Sequence, residues 1–168
     1  MVISIPRFSW LTKYRKFWSP MPTSPPFLHV CQVGDPVLRV KAENIPPDDI
    51  NKPHIQKIIN NMVNVMKKYK GVGIAAPQIG IPLRIIALEF SEKHKNQVDP
   101  AVFKAREMSM LPLLIIINPK MKVINYEKVS FPEGCLSVIG YSAMVPRYRA
   151  VEVTGFDHTG AEQTLETK

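Results

Sequence analysis

A single change of hydrophobic period, near residue 71, constrains this chain more than any other feature. Before it, residues 52–69 place apolar side chains at Ile55, Ile58, Ile59, Met62, Met66 and Tyr69. That spacing lines one face of a 3.6-residue helix. Lys57, Asn60, Asn61, Lys67 and Lys68 fall on the other side. Asp48 and Asp49 offer capping chemistry upstream, and Gly71 offers a C-terminal stop. After Gly71 the pattern turns to β-branched and apolar runs. One covers 83–90, one covers 113–117 and is closed by the turn signal Asn118-Pro119, a third alternates loosely over 121–130, and a second long strand pattern occupies 143–156. Asp157-His158-Thr159-Gly160 reads as a hairpin turn leading into 163–166. The polar, lysine-containing stretch 91–110, broken by Pro100, reads as a long loop with one helical turn near 101–108. The expected fold is α+β, with mostly antiparallel strands packed around one long N-terminal helix.

At 168 residues the chain has length for one domain with a real core. Its longest apolar run, 111–117, contains Pro112 and is strand-sized, far short of the roughly 20 residues a spanning helix needs. Two cysteines, Cys31 and Cys135, are too few for a disulfide framework and fit a reducing compartment. The net charge of +8 invites a nucleic-acid reading, but its distribution weakens it. Arg7, Lys13, Arg15 and Lys16 precede the first acidic residue, Asp35, and without them 18 basic residues face 14 acidic ones. Residues 1–26 also hold Phe8, Trp10, Tyr14, Phe17 and Trp18 and end in a proline-rich stretch. A basic, acid-free leader of this kind reads as a mitochondrial transit peptide. Lys13, Arg15 and Lys16 interrupt the apolar stretch that a secretory signal requires. A basic tail without a targeting role is the alternative.

Two short segments carry the chemistry. Gly71-Val72-Gly73-Ile74-Ala75-Ala76-Pro77-Gln78 superficially matches a dinucleotide-binding fingerprint, but that motif follows a strand and opens a helix. Here a helix precedes it, and Pro77 prevents the next helix from starting normally. Two glycines and two alanines instead leave a nearly bare backbone that another chain can approach closely, exchanging main-chain hydrogen bonds as an added strand. Gln78 supplies an amide able to donate to a carbonyl oxygen. A tight helix-to-strand turn with Gln78 exposed is the plainer reading of this segment alone. The second segment, Glu133-Gly134-Cys135-Leu136-Ser137, presents a cysteine in a turn between strands, a candidate ligand or nucleophile that in isolation is more often a small buried hydrophobe.

Together the two segments resemble the first two signature motifs of peptide deformylases, which remove the formyl group from the N-terminal methionine of newly made proteins. Asp35-Pro36-Val37-Leu38-Arg39 and Val145-Pro146-Arg147 extend the resemblance over residues 30–168. It implies that Gln78 and the backbone N–H of Leu136 stabilise the formyl oxygen. It further implies that the Cys135 thiolate binds the metal and that Val72, Gly73, Glu133 and Gly134 bind substrate. Arg147 is expected to be structural, pairing with a carboxylate such as Glu133, and Cys31 to be a packed thiol. The implied cofactor is a divalent metal, Fe²⁺ with Zn²⁺ or Co²⁺ as substitutes. The implied partners are N-formylmethionyl peptides and the mitochondrial ribosome, with no specific nucleic acid and no membrane span, and the implied location is the mitochondrial matrix.

The resemblance also implies two further ligands, histidines at i and i+4 on one helix, with the glutamate after the first as general base. His29, His54, His94 and His158 form no such pair. The expectation is therefore a deformylase-like catalytic domain over 27–168, truncated before its His-Glu-x-x-His helix and inactive or nearly so as it stands. A non-catalytic peptide binder using residues 71–78 is the alternative. A basic RNA- or ribosome-associated protein is disfavoured by the small charge excess outside the leader.

Overall fold

The structure, a computed structural model, describes residues 24–167. The leader assigned to 1–26 lies outside them except for its last three residues. The long helix α1 spans Pro53–Lys68 and buries Ile55, Ile59, Met62, Val65 and Met66. Its start differs from expectation. Lys52 is the N-cap and makes no side-chain cap, while Asp48 and Asp49 sit in a separate single turn, Pro47–Asp49. Pro53 makes a carboxylate cap less necessary, because it takes the first helical position with a preset φ and no N–H to satisfy. At the other end Lys70, not Gly71, adopts the left-handed conformation, at φ 55°. The Lys70 N–H donates to the Lys67 carbonyl at 3.1 Å and the Gly71 N–H to that of Met66 at 2.9 Å, a Schellman closure. Gly71 is needed for proximity instead, since a Cβ there would lie 2.7 Å from Leu136 Cδ1.

Five antiparallel strands follow in sheet order β1-β2-β3-β4-β5. They are β1 (Gly73–Ala75), β2 (Ile85–Phe90), β3 (Leu111–Cys135), β4 (Val138–Phe156) and β5 (Glu162–Thr167). Two expectations are corrected. Asn118-Pro119 does not end a strand: it is a bulge within β3, where the register slips between Ile117↔Phe156 and Lys120↔Thr154. Tertiary contacts hold the one extra residue there. Asn118, at φ 52°, accepts the Ile45 N–H at 2.9 Å and donates to the Ile45 carbonyl at 2.7 Å, and the Arg84 guanidinium bonds the Pro119 carbonyl. The stretch 91–110 holds two short helices, Glu92–Lys95 and Pro100–Ala105, the second started by Asp99, whose carboxylate accepts the Ala101 N–H at 2.7 Å. The turn into β5 forms as expected, with the Asp157 carboxylate accepting from Thr159 N–H, Thr159 Oγ1–H and Ala161 N–H.

The core lies between α1 and the inner strands, where Ile55, Ile59, Met62 and Met66 meet Ile74, Ile79, Ile85, Ala87, Ile115 and Ile117. Beyond Ile117 the β3–β4 hairpin exposes Met121, Ile124, Tyr126, Ile139, Tyr141 and Met144. No helix among the described residues is long and apolar enough to cross a membrane.

Candidate active-site cleft

Antiparallel pairing carries Cys135 back to the end of the sheet where β1 leads into Gln78. After β1 the chain tightens into a single 3-10 turn, Ala76–Ile79, closed by Gly80 at φ 86°. Within it Gln78 Oε1 accepts the Ala75 N–H at 2.9 Å. Only the amide oxygen can accept that bond, so the NH₂ group must face the opposite way. It does so onto the second segment, with Nε2 3.0 Å from Ser137 Oγ and 4.0 Å from Cys135 Sγ.

Cys135 ends β3 and pairs with Val138, leaving Leu136-Ser137 as a two-residue turn. Ser137 is buried, and its N–H points at Cys135 Sγ at 3.4 Å. Among the described residues the Leu136 N–H has no acceptor. Cys135 is exposed. The Gln78 amide, the Leu136 N–H and the Cys135 thiol therefore meet around one cleft of about 440 Å³, lined also by Gly71, Val72, Gly73, Gly134 and Tyr141.

One wall is a free strand edge. The Val72 carbonyl accepts the Glu89 N–H and so faces β2, whereas the Ala75 N–H is directed to Gln78 and so faces away. Alternation along a strand then turns the N–H and C=O of Gly73 outward, at the outer edge of the sheet. Glu133, expected at the substrate, is committed elsewhere. Arg147 Nε and Nη2 grip its two oxygens at 2.8 and 2.6 Å, and Glu133 does not line the cleft. The Arg147 hydrogen bond holds the Glu133 carboxyl below its ordinary range, and the same contact raises the guanidinium.

Cys31 is buried, and burial together with the nearby Asp35 carboxylate pushes its thiol up to about 11. Its backbone N–H donates to the Gln78 carbonyl at 2.8 Å, directly behind the site. Three contributors had no assigned role in the sequence. Ser137 lay inside the second segment without a task for its hydroxyl, Gln32, whose side-chain amide donates to the Leu136 carbonyl at 3.1 Å, opens the 32–39 stretch without a task of its own, and Tyr141 carries no motif that could have marked it.

The donor set does not by itself fit a hydrolytic metal, which takes about three protein ligands. His29 stacks on Phe27 at 4.9 Å, and His94 Nδ1 accepts the Ser91 N–H at 3.0 Å. His54 sits in the first turn of α1 and His158 in the turn before β5. Among the described residues no three His, Cys, Asp or Glu side chains converge, so Cys135 is the one ligand candidate in the cleft.

A family model described as polypeptide deformylase matches residues 27–168. The chain is 41% identical over 141 residues to human mitochondrial peptide deformylase, covering 84% of this chain and 58% of that one. It is 47% identical over 131 residues to the chloroplastic peptide deformylase 1A of Solanum lycopersicum, covering 78% and 47%. The chain thus spans about half the length of the curated relatives it matches. A crystal structure of peptide deformylase from Ehrlichia chaffeensis superposes with a TM-score of 0.69 at 29% identity, over 83% of this chain and 74% of that one.

Proposed function

Given that this chain belongs to the peptide deformylase family, we propose that it serves to remove the formyl group from the N-terminal methionine of newly made proteins, releasing formate and a free amine. The observation that carries this reading is the meeting of the Gln78 amide and the unpartnered Leu136 N–H beside the Cys135 thiol. Two donors bordering one cleft are what a formyl oxygen needs as it gains negative charge in hydrolysis. The outward backbone groups of Gly73 would pair with the peptide as an added strand, while Val72 and Gly134 flank it. Glu133 would act through Arg147, bracing the strand that delivers Cys135.

The family implies a metal cofactor in general. Its identity, Fe²⁺ with Zn²⁺ or Co²⁺ as substitutes, is our reading from the resemblance, with Cys135 as the ligand this chain supplies. The proposed location is the mitochondrial matrix, supported by the human mitochondrial relative and by the basic, acid-free residues 1–26. The mitochondrial ribosome would be the source of formylated chains. Non-catalytic capture of extended peptides is the second reading, and the same open edge at Gly73 favours it.

Formate release from N-formylmethionyl peptides separates the two. The protein purified from its native source should release formate. The 168 residues alone should not, because one thiolate is one of about three ligands. Absence of turnover in the native protein would leave the peptide-binding reading, and turnover by the 168 residues alone would overturn the ligand assignment.

A further inference from the structure

We propose that residues 31–33 form a strap holding the two halves of the formyl-binding site at fixed spacing, and that Gln32 is its positioning residue; the idea rests on the formyl-site reading above. Three consecutive residues each reach one half. The Cys31 N–H donates to the Gln78 carbonyl at 2.8 Å, and the Val33 N–H donates to the Ser137 carbonyl at 2.8 Å. Between them Gln32 Nε2 donates to the Leu136 carbonyl at 3.1 Å. Its second donor bond, to the Val30 carbonyl at 3.0 Å, ties the side chain to its own backbone. The amide nitrogen thus has both hydrogens engaged.

The sheet does not supply this link. Gln78 follows β1 and Cys135 ends β3, and β2 lies between those strands. Among the described residues the direct side-chain contacts joining the halves all come from one atom, Gln78 Nε2, which lies 3.0 Å from Ser137 Oγ and 4.0 Å from Cys135 Sγ and keeps a second hydrogen for a formyl oxygen. The strap adds three bonds to backbone carbonyls on both halves, so the spacing does not rest on that one side chain. Its choice of acceptor matters. The Leu136 carbonyl belongs to the central peptide of the two-residue turn, and rotation of that peptide is what interconverts turn types. A donor fixed on that carbonyl locks one turn, and with it the Ser137 N–H on the far side of the same peptide, which points at Cys135 Sγ at 3.4 Å beside the Leu136 N–H.

The test uses the 168-residue chain and amide hydrogen exchange read by NMR. Gln32→Met keeps length and removes both donors, and Gln32→Arg restores donors. In Gln32→Met the Val33 amide should exchange roughly 3- to 10-fold faster, the range one net hydrogen bond of ordinary strength supports. The Leu136 and Ser137 amide resonances should move, while the resonances of residues 115–117 hold and the melting temperature falls by no more than about 2–4 °C. Gln32→Arg should recover the wild-type pattern. Adding N-formyl-Met-Ala should shift the Gln78 side-chain amide in the wild type and shift it less in Gln32→Met. Unchanged Val33 exchange and turn resonances in Gln32→Met would overturn the strap. A wild type blind to the formyl peptide would instead remove the formyl-site reading, with the strap still decided by exchange.

Discussion

Gln78 illustrates how a single amide is given direction. The Ala75 N–H fixes its oxygen, so its hydrogens have only one way to point, toward Ser137 and Cys135. The ion pair of Arg147 with Glu133 works at the same scale with less energy. Its side chains are 63% and 36% exposed, which limits the pair to about 1 kcal/mol or less. Because the folded Glu133 carboxyl is held below its ordinary range, its contribution is present above the unfolded value of about 4.3 and is lost as the pH falls through the depressed folded value. Urea melts of wild type and Arg147→Ala should therefore differ at pH 7 and draw together as the pH falls below the ordinary carboxylate range. A gap that persists in acid would assign the effect to packing. The two cysteines should also separate chemically. With Cys135 exposed and the buried Cys31 thiol at about 11, iodoacetamide at neutral pH should modify Cys135 alone, as read by peptide mass spectrometry. Cys31, Arg147 and both segments were legible in the sequence because each carries its chemistry in its own residue type. Gln32 and Tyr141 were not, because their roles come from contacts made across more than a hundred residues or across a hairpin.

At the scale of elements, α1 was readable because its apolar stripe has one period throughout. Its boundaries were less so, since Pro53 and Lys70 took roles that the capping residues Asp48, Asp49 and Gly71 seemed better suited to fill. The strands merged for a related reason. Asn118-Pro119 carries a turn signal, yet bonds from Ile45 and Arg84 hold it as a bulge inside a 25-residue strand. Gly155 lies opposite that bulge, where an added Cβ would meet Ile116 Cγ2 at 2.6 Å and the Ile117 carbonyl oxygen at 2.7 Å. Backbone cannot swing aside as a side-chain tip can. Gly155→Ala should cost roughly 1–3 kcal/mol by chemical denaturation. Gly134→Ala, whose new Cβ would find nothing closer than 3.9 Å, should stay within about 0.5 kcal/mol. Equal costs would mean that the bulge is not the constraint described.

Across the whole molecule, the helix and the inner strands bury one core, and the sheet returns its two functional turns to one end of that core. The α+β architecture followed from the switch of period at residue 71. The distribution of burial did not, because periodicity tells which side of a strand is apolar and not whether that side is covered. Met121, Ile124, Tyr126 and Met144 all read as strand residues, and all are exposed. The central claim is that segments 57 residues apart, Gln78 and Cys135, build one receptor for a formyl group. NMR titration of the labelled 168-residue chain with N-formyl-Met-Ala, against the same peptide without its formyl group, tests it most directly. The account expects the formylated peptide alone to shift the Gln78 side-chain amide and the Leu136 N–H together, with Gly73 moving for both peptides. Identical responses to the two peptides, or shifts that avoid Gln78 and Leu136, would contradict it.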